Sequence, residues 1–302
     1  MRVFVAGATG YVGRKLTETL IETGHSPACL VRPGSERKLG HLADKVDIIS
    51  GGIGDAENWH HRLRNIDSVI NLIGIIREFP NHGVTFEKLH VETTVKLVDI
   101  CAEQGIKRYL QMSALGASPE SKSEYHQTKF RAENYIKNSD LDWTIFRPSL
   151  IFGKGNLALV EFVKLIKSAP VVPVVGDGKY RLQPVALENV CEGFVKALDK
   201  PETIGKTYEI AGSERVTYDQ LLDSIGQTLN RKVPKIHMPV GLTKLAISPF
   251  EYFKSFPLTK SQIEMLLEEN ISDSNLFYDE LNIEPEPLDS MLKRSLEDEI
   301  EK

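Results

Sequence analysis

One glycine-rich heptapeptide near the start of the chain restricts its fold more than any other feature. Gly7-Ala8-Thr9-Gly10-Tyr11-Val12-Gly13 follows directly on a short apolar run, Arg2–Ala6, and leads into helical spacing through Leu16, Leu20 and Ile21. Glycines at these places allow a tight turn and close backbone approach, and the helix that follows presents unpaired N–H groups at its N-terminus. Strand, glycine turn and helix in that order make a cradle for a pyrophosphate. Gly7, Thr9, Gly10, Tyr11, Val12 and Gly13 are its candidate contacts.

The chain continues as such a start requires. Strand-like runs at Ala28–Val31, Val46–Ser50, Ser68–Ile73, Arg108–Met112 and Trp143–Phe146 alternate with helical stretches near Ala56–Arg64, Thr85–Glu103 and Tyr125–Asn138. Near-continuous apolar strands between helices predict a parallel sheet covered on both faces, the doubly wound α/β (Rossmann) class. After Pro148 the rhythm changes, with a helix at Leu157–Lys167, a proline-broken run at Ala169–Val175 and a Gly-Asp-Gly turn at Gly176–Gly178. Lys206–Ala211 reads as a strand returning to the sheet, and Tyr218–Leu229 and Ser261–Glu268 as helices, the latter opened by a Thr259/Gln262 capping box. Pro287 opens a last helix carrying Leu288, Met291, Leu292 and Leu296, and the charged end Glu297–Lys302 is expected to fray. At roughly 150 residues per domain, the expected division is a nucleotide-binding domain, 1–152 with 181–212, and a smaller substrate or partner domain, 153–180 with 213–302.

Composition excludes several classes. The chain has 302 residues, and its 37 basic against 42 acidic residues give a net charge of −5, which argues against a nucleic-acid partner. Cys29, Cys101 and Cys191 lie in apolar stretches without a CxxC pair, so buried, reduced thiols are expected. The longest apolar run, Val69–Ile76, is broken by Asn71 and Gly74 and falls far short of the ~20 residues of a membrane helix. With a strand already at residue 2, no signal peptide is expected and the location is read as cytoplasmic.

The end of the second strand should meet the adenosine ribose, where an acidic residue would favour NAD. Arg32 stands there, ahead of Pro33-Gly34-Ser35-Glu36-Arg37-Lys38. A guanidinium binds a 2′-phosphate bidentately, so NADP(H) is the expected cofactor ahead of NAD(H). Ser113 ends the strand Arg108–Met112, at the edge where open α/β sheets bind ligands. Tyr125 and Lys129, four apart, share one face of the next helix. An ammonium beside a phenol favours the phenolate and suits proton transfer, while Ser113 would orient a substrate carbonyl or hydroxyl. Ser113, Tyr125 and Lys129 are therefore the candidate catalytic set.

These residues resemble the short-chain dehydrogenase/reductase superfamily, and its extended, atypical members in particular. GATGYVG at 7–13, QMSALGA at 111–117, YHQTK at 125–129, RPSLIFG at 147–153 and QPVALENV at 183–190 match its landmarks. FPLTKSQIEMLLEEN at 256–270 is similar to the C-terminal signature of the group that contains the nucleotide-binding accessory subunit of respiratory complex I and its bacterial relatives. The resemblance implies a Rossmann domain with NADP(H) on Gly7, Gly10 and Gly13. It also implies Lys129 at the nicotinamide ribose, Pro148 beside the nicotinamide, and Ile73 and Gly74 along the nucleotide. Two positions depart from the pattern. His90 stands where typical members keep a relay asparagine, and either replaces that amide or is satisfied by backbone. Gly51-Gly52 stands in place of a Gly-Asp pair that contacts adenine, leaving Ile53 and backbone for that task, with Asp55 expected to cap the following helix.

His60, His61 and His126 lack partners at metal spacing and read as surface residues. The apolar stretch Pro239–Phe256 is open to three readings: core, a roof over the substrate pocket, or a docking face. The leading expectation is an NADP(H)-dependent oxidoreductase acting on a carbonyl or hydroxyl compound, its small-molecule substrate unnamed. The rivals are a non-catalytic NADPH-binding protein of assembly, structure or redox sensing, with peripheral or respiratory-complex association, and a nucleotide-sugar epimerase or dehydratase.

Overall fold

Every side chain from Val3 to Ala6 is fully buried, and alternation divides them between two cores. Val3 and Val5 join Leu16, Leu20, Phe194 and Phe277, whereas Phe4 and Ala6 join Trp59, Val69, Leu97 and Ile145. Successive side chains of a strand face opposite ways, so a strand apolar on both sides belongs inside a covered sheet. The computed structural model describes residues 1–247 and 259–300, and it has that sheet. Its seven strands are β1 (Arg2–Ala6), β2 (Ser26–Val31), β3 (Asp47–Ser50), β4 (Ser68–Asn71), β5 (Arg108–Met112), β6 (Asp142–Pro148) and β7 (Lys206–Ile210). All pairings are parallel, in the order β7-β6-β5-β4-β1-β2-β3.

Helices cover both faces. On one, α1 (Tyr11–Glu22) buries Val12, Leu16 and Leu20, and packs on α5 (Leu187–Leu198). On the other, α2 (Thr93–Gln104) buries Leu97, Val98 and Cys101 beside α3 (Glu124–Lys137). The helix α4 (Leu157–Ser168) belongs to a third apolar cluster with Phe152, Leu182, Leu221, Ile225 and Met291. Because β1 leads outward to β2 while β4 starts on its other side, a crevice opens at the carboxyl ends of β1 and β4, the place where such sheets bind ligands. Ala6 and Asn71 are partners in the register there.

Most expected elements occur within two residues of their predicted bounds, and β7 does return to the sheet. Three segments differ. The helical stretch at 56–64 is two short 3₁₀ pieces, Ile53–Asn58 and His60–Leu63. The stretch at 85–103 opens as a π-helix, Glu87–Glu92, before α2. Of the end expected to fray, the described part forms a helical turn, Glu297–Ile300, held by Lys167–Glu299 at 2.7 Å and Lys154–Asp298 at 3.0 Å, and residues 301–302 lie outside the described residues. All three cysteines are free and buried, and burial pushes the Cys29 and Cys101 thiols up to about 12. Of the apolar stretch 239–256, the part from 248 onward lies outside the described residues.

Candidate nucleotide and active site

The glycine loop turns from β1 into α1 with a distinct need at each glycine. Gly7 holds φ +94°, and a Cβ there would press within 3.1 Å of the Leu72 backbone. A Cβ on Gly13 would stand 2.1 Å from the Gly7 carbonyl oxygen, so only glycine lets α1 sit this close to the loop. Gly10 is the N-cap of α1 and no side chain caps the helix. The first-turn N–H groups thus have no intrahelical acceptor and face the crevice, which fits a pyrophosphate. Ile73 and Gly74 continue from β4 along the same edge, and Pro148 is buried at the end of β6.

Arg32 follows β2 and is exposed, its Cγ 4.0 Å from where a Cβ on Gly52 would lie. Trp59 packs against both members of the Gly51-Gly52 pair. Gly51 (φ +157°) faces the indole of Trp59, which would lie 2.4 Å from a Cβ, and Trp59 Nε1 donates to the Gly52 carbonyl at 2.8 Å. Asp55 accepts from the Gly52 N–H at 2.6 Å, tying back the start of the Ile53–Asn58 turn, as expected of a cap. Ile53 itself is half-buried beside it.

Tyr125, Lys129 and Glu133 follow one another at four-residue steps along α3. The Tyr125 ring is held edge-on by Phe86, His90 and His126, with centroid distances of 5.8, 5.3 and 5.2 Å. Burial pushes its phenol up to about 12, so the proton stays on the oxygen. Lys129 is buried, donates from Nζ to the Met112 carbonyl at 3.1 Å, and burial lowers it to about 8 against the opposing pull of Glu133. A Cβ on Gly74 would lie 2.8 Å from that Nζ, so Gly74 leaves room for the ammonium at the end of β4.

Ser113 sits elsewhere in the hydrogen-bond scheme than a free substrate contact would. Its hydroxyl donates at 2.5 Å to Glu133 Oε1, a fully buried carboxylate that Arg147 grips from β6 with two bonds of 2.8 and 2.6 Å. The only hydroxyl proton of Ser113 is therefore engaged below the site, and the following residue, Ala114, has none to offer. Glu133 was visible in the sequence as the next step of the Tyr125/Lys129 face, but nothing in its spacing pointed to Ser113.

His90 has partners at both ring nitrogens, a side chain at one and backbone at the other. It is buried, stacked on Phe86 at 5.3 Å, and bound through Nδ1 to Thr128 Oγ1 at 2.9 Å. Its Nε2 meets the Ile75 N–H at 3.2 Å. Nε2 also lies 3.1 Å from the Ile75 carbonyl oxygen, and the Thr128 hydroxyl in turn donates to the carbonyls of Glu124 and Tyr125. Burial, and then the Lys129 charge, push His90 down to about 2. His126 corrects the surface reading: it is buried and its Nδ1 lies 2.8 Å from Glu268. Ser121 and the Lys122 N–H donate to the same carboxylate, at 2.8 and 2.7 Å, which fastens the end of the Lys260–Leu267 helix to the head of α3. His60 is half-buried and His61 exposed. Across Phe86 from Tyr125 lies a cavity of about 350 Å³ lined by Arg77, Phe79, His82, Phe86 and Lys260.

Comparison with known proteins identifies the family and the fold. The family described as NAD(P)H-binding matches residues 7–158. The mitochondrial NADH dehydrogenase (ubiquinone) 1 alpha subcomplex subunit 9 of Arabidopsis thaliana is 30% identical over 306 residues, 94% of this chain and 74% of that protein. Photosystem II assembly factor Ycf39 of Synechocystis is 28% identical over 221 residues, 70% of this chain and 63% of that protein. The UDP-glucuronic acid 4-epimerase of Bacillus cereus, solved with UDP-glucuronic acid and NAD, superposes with a TM-score of 0.75 over 98% of each chain at 18% identity, a likeness of fold. The chain belongs to the NAD(P)H-binding family, among the atypical extended short-chain dehydrogenases/reductases that include the 39/40 kDa-type subunits of complex I.

Proposed function

We propose that the protein is an NADP(H)-dependent reductase in which Tyr125 gives a proton to a substrate carbonyl oxygen. The observation that carries this reading is the Tyr125–Lys129 face of α3, with a phenol held protonated and a buried ammonium four residues on. Gly7, Thr9, Gly10, Tyr11, Val12 and Gly13 would hold the pyrophosphate, Arg32 the 2′-phosphate, Ile53 the adenine, and Ile73, Gly74, Lys129 and Pro148 the nicotinamide end. The cofactor would supply the hydride. Lys129 would fix the ribose and steady Tyr125, while the pocket toward residues 153–180 and 213–302 would take the substrate.

One observation favours a second reading, a nucleotide-binding protein that serves an assembly in the cytoplasm or beside a respiratory complex. Glu133 holds the Ser113 proton, leaving Tyr125 without a second donor for a carbonyl. Two measurements decide. Purified protein with NADPH and a panel of quinones, ketones and aldehydes should oxidise the cofactor, and Tyr125→Phe should lower kcat by ~10²–10⁴-fold while leaving NADPH affinity in place. No turnover with any of them, together with full rescue of a deletion strain by Tyr125→Phe and failure of Gly10→Asp, would install the second reading.

A further inference from the structure

The hydrogen-bond ladder between β4 and β5 stops one bond early, at the edge where the nucleotide would lie. Asn71 and Gln111 are its last partners in the register. Ser113 gives its N–H to the Phe146 carbonyl of β6, so its neighbour Met112 faces β4. A continuing parallel ladder would then join the Ile73 N–H to the Met112 carbonyl. Instead the Ile73 N–H donates to Asn71 Oδ1 at 3.0 Å. The Met112 carbonyl accepts from Gln111 Nε2 and from Lys129 Nζ, both at 3.1 Å.

Two opposed side chains thus stand in for one backbone bond. A backbone N–H only donates and a backbone carbonyl only accepts, so the direction of every bond between them follows from both ends. Asn71 offers Oδ1 to Ile73, its Nδ2 donates to Gln111 Oε1 at 3.0 Å, and Gln111 keeps Nε2 for Met112. Tyr109 donates to the same Oε1 at 3.1 Å, and all three side chains are buried. The Met112 carbonyl is the only hydrogen-bond acceptor of Lys129 among the described residues.

We propose that Gln111 is a positioning residue, whose amide keeps the Met112 carbonyl out of the ladder and aimed at Lys129, and so sets where the ammonium stands. This rests on the ribose role proposed for Lys129. With an apolar side chain at 111 the carbonyl is free to close on the Ile73 N–H. That closure would draw Ile73 and Gly74 toward β5 and take from Lys129 the acceptor that holds it.

The test is a double-mutant cycle in NADPH affinity, measured by calorimetry on the full chain. Gln111→Met, close in shape and without the donor, should weaken NADPH about tenfold, the scale of one hydrogen bond. In a Lys129→Ala background the same change should cost less than about twofold, because the carbonyl then has no ammonium to place. Tyr109→Phe removes a buried bond to the same amide and leaves Asn71 to direct it, so it should lower the melting temperature and spare the affinity. Asn71→Val with Gln111→Met replaces both amides by apolar groups, which costs little stability. It should bind NADPH as weakly as Gln111→Met, and it carries the test if the single variant does not fold. In protein labelled at the lysine ε-carbon, the Lys129 resonance is recognised by its absence from Lys129→Ala. It should move in both Gln111 variants and stay in Tyr109→Phe. An unmoved resonance in the Gln111 variants overturns the proposal. So do equal losses in the two backgrounds when Lys129→Ala itself weakens NADPH, since a merely structural amide would give them. If Lys129→Ala binds NADPH like the parent, its ribose role falls, and the resonance alone decides for Gln111.

Discussion

Glu133 concentrates three interactions on one buried carboxylate: Ser113, Arg147 and, at 3.3 Å, Lys137. Glu133→Ala would leave the Arg147 guanidinium without its bidentate partner in a half-buried place, and loss of one member of a buried pair costs about 3–5 kcal/mol. Urea unfolding should show that loss; a change under about 1 kcal/mol would mean that the pair is dispensable. Gly13 provides the complementary case, where the limit is space. Its neighbours are backbone atoms, the Gly7 carbonyl above all, so Gly13→Ala must shift α1 against the loop. Overpacking of this kind costs about 1–3 kcal/mol, and NADPH affinity measured by calorimetry should fall with stability. The same measurement in Arg32→Ala should narrow the preference for NADPH over NADH by about 1–3 kcal/mol, the worth of a charge-assisted contact. Equal affinities for both cofactors in the parent would remove Arg32 from the phosphate site.

At the scale of elements, the π-turn Glu87–Glu92 is what lets His90 reach both the end of β4 and α3. Folded His90 stays neutral down to about 2, while an unfolded imidazole takes its proton near 6.5. Between those values the unfolded chain binds more protons, so stability falls as pH drops below 6.5, by about 1.4 kcal/mol per pH unit. The neighbouring junction adds to this with the same sign. Burial lowers His126 despite the nearby carboxylate, and Glu268 is held below its usual range by Ser121 and His126, so its contribution disappears in acid. Denaturant melts from neutral pH to about pH 5 should trace the loss, and His90→Gln, which cannot titrate, should flatten it. The strands and α1 to α3 were legible because apolar periodicity records burial directly. The π-turn was not, because a shift of the backbone bonds from i−4 to i−5 is set by no particular residue type. The Glu268–His126 contact spans 142 residues, and no local pattern announces a partner at such a distance. The need for glycine at 51 was likewise hidden, because it comes from the indole of Trp59, eight positions on.

For the whole molecule, a ligand that binds only the folded chain raises its stability, by about 2.7 kcal/mol at a hundredfold excess over Kd. Thermal melts should therefore rise with NADPH, and rise less with NADH. Such coupling reaches beyond the first half of the chain, because the nucleotide-binding sheet is finished by residues that come late. β7 pairs with β6 from position 206 onward, Tyr278 donates to the Ala211 carbonyl at 2.7 Å, and Phe277 fills the space that Gly193 leaves open. A fragment that stops short of residue 277 would therefore keep the Gly7–Gly13 loop and yet leave Phe146 and Tyr208, against which Phe277 packs, open to water.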